Sequence, residues 1–135
     1  MKAPRNINLA AHQRMLDHAL PLLTPEAQRF FDTVCVLVTD SKGGGRANWR
    51  HSVARVPSWV FRDSVNFCGR TVIEGGDKFC AYYLAHEMAH LAARESGHGA
   101  AFMAKFKRFC PLELRWYETI YKPKLAAANG IQERV

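Results

Sequence analysis

The chain lacks almost every feature that would place it in a membrane or outside a cell. No apolar stretch approaches the ~20 residues that a membrane-spanning helix needs. The opening run Met1-Lys2-Ala3-Pro4-Arg5-Asn6 is charged, but no apolar segment follows it, so no secretory signal is read. Four cysteines, Cys35, Cys68, Cys80 and Cys110, form no CxxC pair. Without an export signal they are expected as buried thiols, not as a disulfide frame or a second zinc site. A cytoplasmic location is the resulting expectation. Internal repeats, low-complexity tracts and a recognisable domain boundary are also missing. The 135 residues, 48% hydrophobic and 23% charged, suit one globular domain. Residues 1–125 are expected to form it, and 126–135, with little to bury, to be a mobile tail.

Acids are scarce as well. Nineteen Lys and Arg face twelve Asp and Glu, a formal charge of +7. Between positions 42 and 70, Asp63 is the only acid beside Lys42, Arg46, Arg50, Arg55, Arg62 and Arg70. Trp49, Trp59, Phe61 and Phe67 interleave with these cations, the mixture that single-stranded nucleic acid uses for phosphate contact and base stacking. Lys105, Lys107 and Arg108 form a second basic group, with Lys122 and Lys124 nearer the end. The alternative is a solvated basic face over a sheet whose core holds the tryptophans. Both readings stand at this point.

Hydrophobic periodicity predicts a loosely amphipathic helix over 8–20, ended near Pro21. Thr24-Pro25-Glu26 offers an N-cap hydroxyl and a proline at the first helical position, opening a short helix through Phe31. The β-rich run 34–39 is followed by Asp40-Ser41-Lys42-Gly43-Gly44-Gly45, a turn or flexible loop. Strands are expected at 47–56, at 58–61 and at 67–73. Gly75-Gly76 breaks the chain, and Asp77 is placed to cap the next helix, which should end near Ser96-Gly97. Phe102, Met103, Phe106, Phe109 and Cys110 make a helical stripe read as core packing, and 112–121 reads as a last helix.

Against these absences stands His86-Glu87-Met88-Ala89-His90, followed by Gly97-His98-Gly99. Helical residues four apart share a face, so His86 and His90 can aim two imidazoles at one ion. A catalytic zinc takes three protein ligands and keeps one position for water. His98, just past the helix, is the candidate third ligand, with Glu113 or Glu118 as replacements if it does not serve. Glu87 projects about 100° around the helix from His86 and is placed to take a proton from water instead of binding the metal. The flanking residues are apolar, so the helix should be buried on most sides. Two buried histidines and a glutamate without partners would be costly, and one metal ion satisfies all three.

His86-Glu87-Met88-Ala89-His90 and Gly97-His98-Gly99-Ala100-Ala101-Phe102 together resemble the HExxH and GHGxxF motifs of the SprT-like zinc metalloproteases. The run from Phe109-Cys110-Pro111 to Trp116 is also similar to the related YgjP and WLM minimal metallopeptidases. The resemblance covers roughly positions 47–117. It implies an α+β fold of the minimal zincin type, a small twisted sheet packed on the HExxH helix. It also implies one Zn²⁺ per chain held by His86, His90 and His98, with Glu87 as general base. The gap from His90 to His98 is shorter than in the DNA–protein-crosslink proteases of this group. Position 93 is Ala where the metzincin pattern needs Gly.

The expected function is therefore zinc-dependent hydrolysis of peptide bonds in a protein or peptide substrate, in association with DNA through the basic surface. The alternative is an accessory module, binding nucleic acid or protein, that keeps zinc for structure and turns over little substrate. Peptidoglycan hydrolysis is a third reading, disfavoured by the lack of a signal. Tyr83, Tyr117 and Tyr121 are candidates for stabilising the oxyanion, each with packing as the competing role.

Overall fold

The structure, a computed structural model, describes residues 6–67, 70–72 and 75–121. The expected tail 126–135, Lys122, Lys124 and Cys68 lie outside the described residues, as do the side chains of Phe67, Arg70 and Tyr121.

Asn8 caps the first helix, α1 (Leu9–Arg14), by accepting the amide of Ala11 at 2.9 Å. The helical path continues through a wider π turn, Met15–Ala19, and a tight 3₁₀ turn, Leu20–Leu22, that takes in Pro21. Thr24 then caps α2 (Pro25–Phe31) with its hydroxyl on the Ala27 amide at 3.2 Å, and Pro25 sits where its missing N–H costs nothing.

Three strands form the main sheet in the order β1-β3-β2: β1 (Cys35–Thr39), β2 (Arg46–Asn48) and β3 (Val53–Pro57). β1 runs parallel to β3, and β2 returns antiparallel on its other side. The expected single strand over 47–56 is thus a hairpin, because the chain turns at 49–52 with Ser52 at φ 55°. Residues 58–61 form a 3₁₀ turn, Ser58–Phe61, and not a strand. The expected strand at 67–73 is a small separate hairpin of β4 (Val65–Phe67) and β5 (Arg70–Val72).

Val36, Val38, Ala54 and Val56 face inward from the sheet and are buried. They belong to one core with α3 (Gly76–Ala93), against which β3 and β2 pack and in which every residue from 79 to 91 is buried. A helix enclosed on all sides is apolar all round, and the buried span 79–91 is, apart from His86, Glu87 and His90. On its far side packs α4 (Ala100–Phe109), whose Phe102, Met103, Phe106 and Phe109 are buried as the stripe predicts. A 3₁₀ segment, Leu112–Tyr117, and α5 (Glu118–Tyr121) replace the single last helix.

Both ends of α3 differ from expectation. The N-cap position is Gly75, and Asp77 accepts the Arg14 guanidinium at 2.8 Å in place of capping. Arg14 also lies over the Phe61 ring, 4.5 Å from its centroid, tying α1 to the start of α3. At the other end the helix stops at Ala93, and Arg94 takes the left-handed conformation, φ 55°. An arginine supplies the turn usually given by glycine. The chain is α+β, as expected.

Candidate metal centre

α3 sets the first half of the site. His86 and His90 stand one turn apart with ring centroids 5.0 Å from each other, and both are buried. The early stop at Arg94 turns the chain back within five residues, bringing His98 to the same point. Its ring lies 5.0 Å from His86 and 4.9 Å from His90. Ligand atoms of the three residues all fall within 4.8 Å of one another. Among the described residues this is the one such cluster; Glu113 is exposed, and neither it nor Glu118 joins the group.

Nε2 of His86 and Nε2 of His98 are 3.2 Å apart. An ion bound tetrahedrally at ~2.0–2.1 Å holds its nitrogen ligands about 3.3–3.4 Å apart, so the spacing suits such an ion. His90 makes its Nδ1 contact to the carbonyl oxygen of Glu95 at 3.0 Å. A carbonyl only accepts, so Nδ1 carries the proton and Nε2 keeps its lone pair for a metal. Burial pulls the His90 pKa below its ordinary value, against the opposing pull of Glu95, and keeps the ring neutral as a ligand must be. Three imidazole nitrogens converging in this way could hold a metal ion.

Phe102 backs all three rings. Its centroid is 4.4 Å from His90, 4.8 Å from His98 and 5.0 Å from His86. The stripe reading assigned it to the core alone. Its position three residues into the helix after His98 was the available signal.

Glu87 lies on α3 beside the cluster, 5% exposed, and burial raises its pKa to about 8. A cleft of about 350 Å³ opens over it, lined by Lys42, Gly43–Gly45, Trp59, Asn66, Tyr82, Tyr83, His86 and Glu87. The glycines expected as a flexible loop form one wall. Tyr83 accepts the Gly45 amide on its hydroxyl, and the Trp59 indole donates to the Gly43 carbonyl at 2.9 Å. Tyr83 therefore holds the wall of the cleft, which its reading as an oxyanion candidate did not foresee. Tyr117 is fully buried, its ring 5.1 Å from Phe79 and 5.5 Å from Tyr82, in the core as its packing alternative held. Cys80 and Cys110 are buried free thiols, whereas Cys35 is exposed.

The basic stretch divides. Trp59 packs edge-on to Tyr83, and Phe61 and Trp59 both lie against the core. Trp49 is covered by two guanidiniums, those of Arg50 and Arg94, each 5.1 Å from its ring. Arg46 and Arg55 stand opposite each other across β2 and β3, both exposed. Among the described residues no helix is long and apolar enough to cross a membrane.

Compared with known families, curated proteins and solved structures, the chain has no significant match in any of the three.

Proposed function

We propose that the protein is a zinc-dependent peptidase built on a minimal zincin plan. The observation that carries the reading is the conjunction of three converging imidazoles with a buried carboxylate on the adjoining cleft. A structural metal site needs closed coordination and no base; here Glu87 opens onto a cavity large enough for part of a peptide.

His86, His90 and His98 would hold the zinc, which when bound would supply Lewis acidity that lowers the pKa of a water towards 7 and polarises a carbonyl. The residues of the chain do the rest. Glu87, once ionised, accepts the proton of the attacking water and returns it to the leaving amine. His90, fixed by the Glu95 carbonyl, keeps its tautomer throughout. The Gly43–Gly45 wall, pinned by Tyr83 and Trp59, keeps bulk water from the carboxylate. The SprT-like resemblance of the two motifs agrees with this assignment.

A second reading, an accessory module attached to nucleic acid, is favoured by the exposed pair Arg46 and Arg55, which form no ion pair among the described residues. One experiment separates the two. Purified protein is assayed for metal content and for cleavage of an unfolded protein, with and without single-stranded DNA. The peptidase reading expects about one zinc per chain, lost in His98→Ala, and hydrolysis abolished in Glu87→Gln with zinc retained. Zinc binding without Glu87-dependent cleavage would leave the accessory reading.

A further inference from the structure

We propose that Glu95 is the positioning residue of the three-histidine site, gripping both halves of it at once. The proposal rests on the reading that the cluster takes a divalent ion.

The two halves come from different parts of the chain. His86 and His90 are fixed by α3, but His98 sits on the link between α3 and α4, where nothing in the helix geometry sets its position. Glu95 stands at the start of that link. Its backbone carbonyl accepts His90 Nδ1 at 3.0 Å, on the α3 side. Its side chain reaches the other way, and Oε1 accepts the backbone amide of Phe102 at 3.0 Å. The bond from Glu95 to Phe102 closes the link into a ring of chain with His98 at its middle. A loop closed at its base has fewer conformations to explore, so its apex is held without any contact to His98 itself.

The need for this bond is visible in α4. Its N-cap is Gly99, which has no side chain to accept the amides of the first turn. Those amides require partners. Glu95 supplies one from seven residues upstream, and that amide belongs to the residue whose ring backs all three imidazoles. The turn that aims Glu95 is itself set by Arg94, whose left-handed backbone lets the amide of Glu95 point back to the His90 carbonyl at 3.4 Å. No Lys or Arg pairs with Glu95 among the described residues, so its carboxylate is committed to the start of α4. The cluster is thereby shaped before a metal arrives.

The test isolates the carboxylate, because every side-chain variant leaves the backbone carbonyl on His90 intact. Wild type, Glu95→Ala, Glu95→Gln and Glu95→Met are compared for zinc affinity by competition with a chromophoric chelator. The visible spectrum of the cobalt(II) forms and the melting temperature of the metal-free proteins are recorded beside it. Loss of a ligand's own partner weakens metal binding about 10–100-fold; here the carboxylate holds the link that carries His98 and not a ligand, so a loss at the low end, about 10-fold, is expected for Ala and Met. Gln keeps an acceptor oxygen at the same reach and should hold zinc close to wild type. The cobalt spectrum should change in Ala and Met and not in Gln, a signature that loss of helix stability alone does not produce. If Ala does not fold, the Gln and Met pair decides. Equal zinc affinity and identical cobalt spectra in Gln and Met would overturn the proposal. Failure of the wild type itself to take up zinc or cobalt would overturn the metal reading, and is told apart by appearing without any substitution.

Discussion

Gly45 lies so close to Glu87 that a Cβ on it would come within 2.7 Å of the Glu87 carboxylate. The same atom would meet the Tyr83 ring and the Arg55 carbonyl, each at 2.6 Å. Backbone walls the carboxylate here, and only glycine permits the approach. Gly45→Ala should therefore destabilise the protein by about 1–3 kcal/mol, the usual cost of overpacking a tight site. Gly43→Ala, with nothing within 4 Å of its Cβ, should be close to neutral. Thermal melts of the two variants check the contrast, and equal melting temperatures would show that the wall yields freely.

Burial that raises Glu87 from 4.5 to about 8 favours the protonated acid in the folded state. The unfolded chain releases that proton near its ordinary value. Stability from this group is thus full below about 4.5 and is lost as pH rises through about 8 in the metal-free protein. His90 works in the opposite sense, since its lowered pKa costs stability as pH falls below 6.5. Comparing chelator-treated wild type with Glu87→Gln cancels the His90 contribution. The variant should gain melting temperature relative to wild type as pH rises from 5 to 8. A difference that stays flat would mean that the carboxylate is hydrated.

The motif helix was legible because its chemistry repeats with the helical period, His86 and His90 sharing a face, within an otherwise apolar run. The end of that helix was not. Its stop signal is a left-handed arginine, and Gly97, which drew the expected end onward, does not supply the turn. The Asp77 cap failed because a partner sixty-three positions away, Arg14, takes its carboxylate. Local pattern carries no information about such pairs. Gly43–Gly45 looked mobile for a related reason: the hydroxyl and indole that fix it come from Tyr83 and Trp59, both distant in sequence. The three imidazoles were named from spacing, and Phe102 stood in the second motif without its role behind them being read; Glu95, whose carboxylate holds the start of α4, carries no motif-level signal of that role.

Arg94 gives a prediction with two opposed contributions. A left-handed non-glycine residue costs roughly 1–2 kcal/mol. Its guanidinium over Trp49 returns about 0.5–1 kcal/mol at a surface site. Arg94→Gly removes the cost and the contact together and should leave stability within about 1 kcal/mol of wild type. Arg94→Ala keeps the backbone cost, loses the contact and should be the less stable of the two. Denaturant unfolding orders the variants, and the reverse order would mean that the guanidinium does more than cover the ring.

Arg46 and Arg55 supply the last prediction. Like charges directly opposite on an antiparallel pair are destabilising, by an amount similar to the 0.2–1 kcal/mol, roughly, that opposite charges gain. Arg46→Glu turns the pair into a cross-strand ion pair and should raise the melting temperature. If the two arginines hold phosphates, the same change should abolish binding of a single-stranded oligonucleotide, so stability and binding move in opposite directions. Milder removal of both charges, Arg46→Gln with Arg55→Gln, should make the dependence of log affinity on log salt shallower by about 1.4, two phosphate contacts at ~0.7 each on a single strand. Trp49 behaves differently, because Arg50 and Arg94 already lie against its ring. Trp49→Ala should lower the melting temperature and leave the salt slope unchanged, in place of the loss of base stacking that an open ring would give. Fluorescence anisotropy across a salt series, beside melts of each variant, reads both quantities. Unaltered binding in Arg46→Glu would make this face a solvated one, and the rise in melting temperature would then be its only effect.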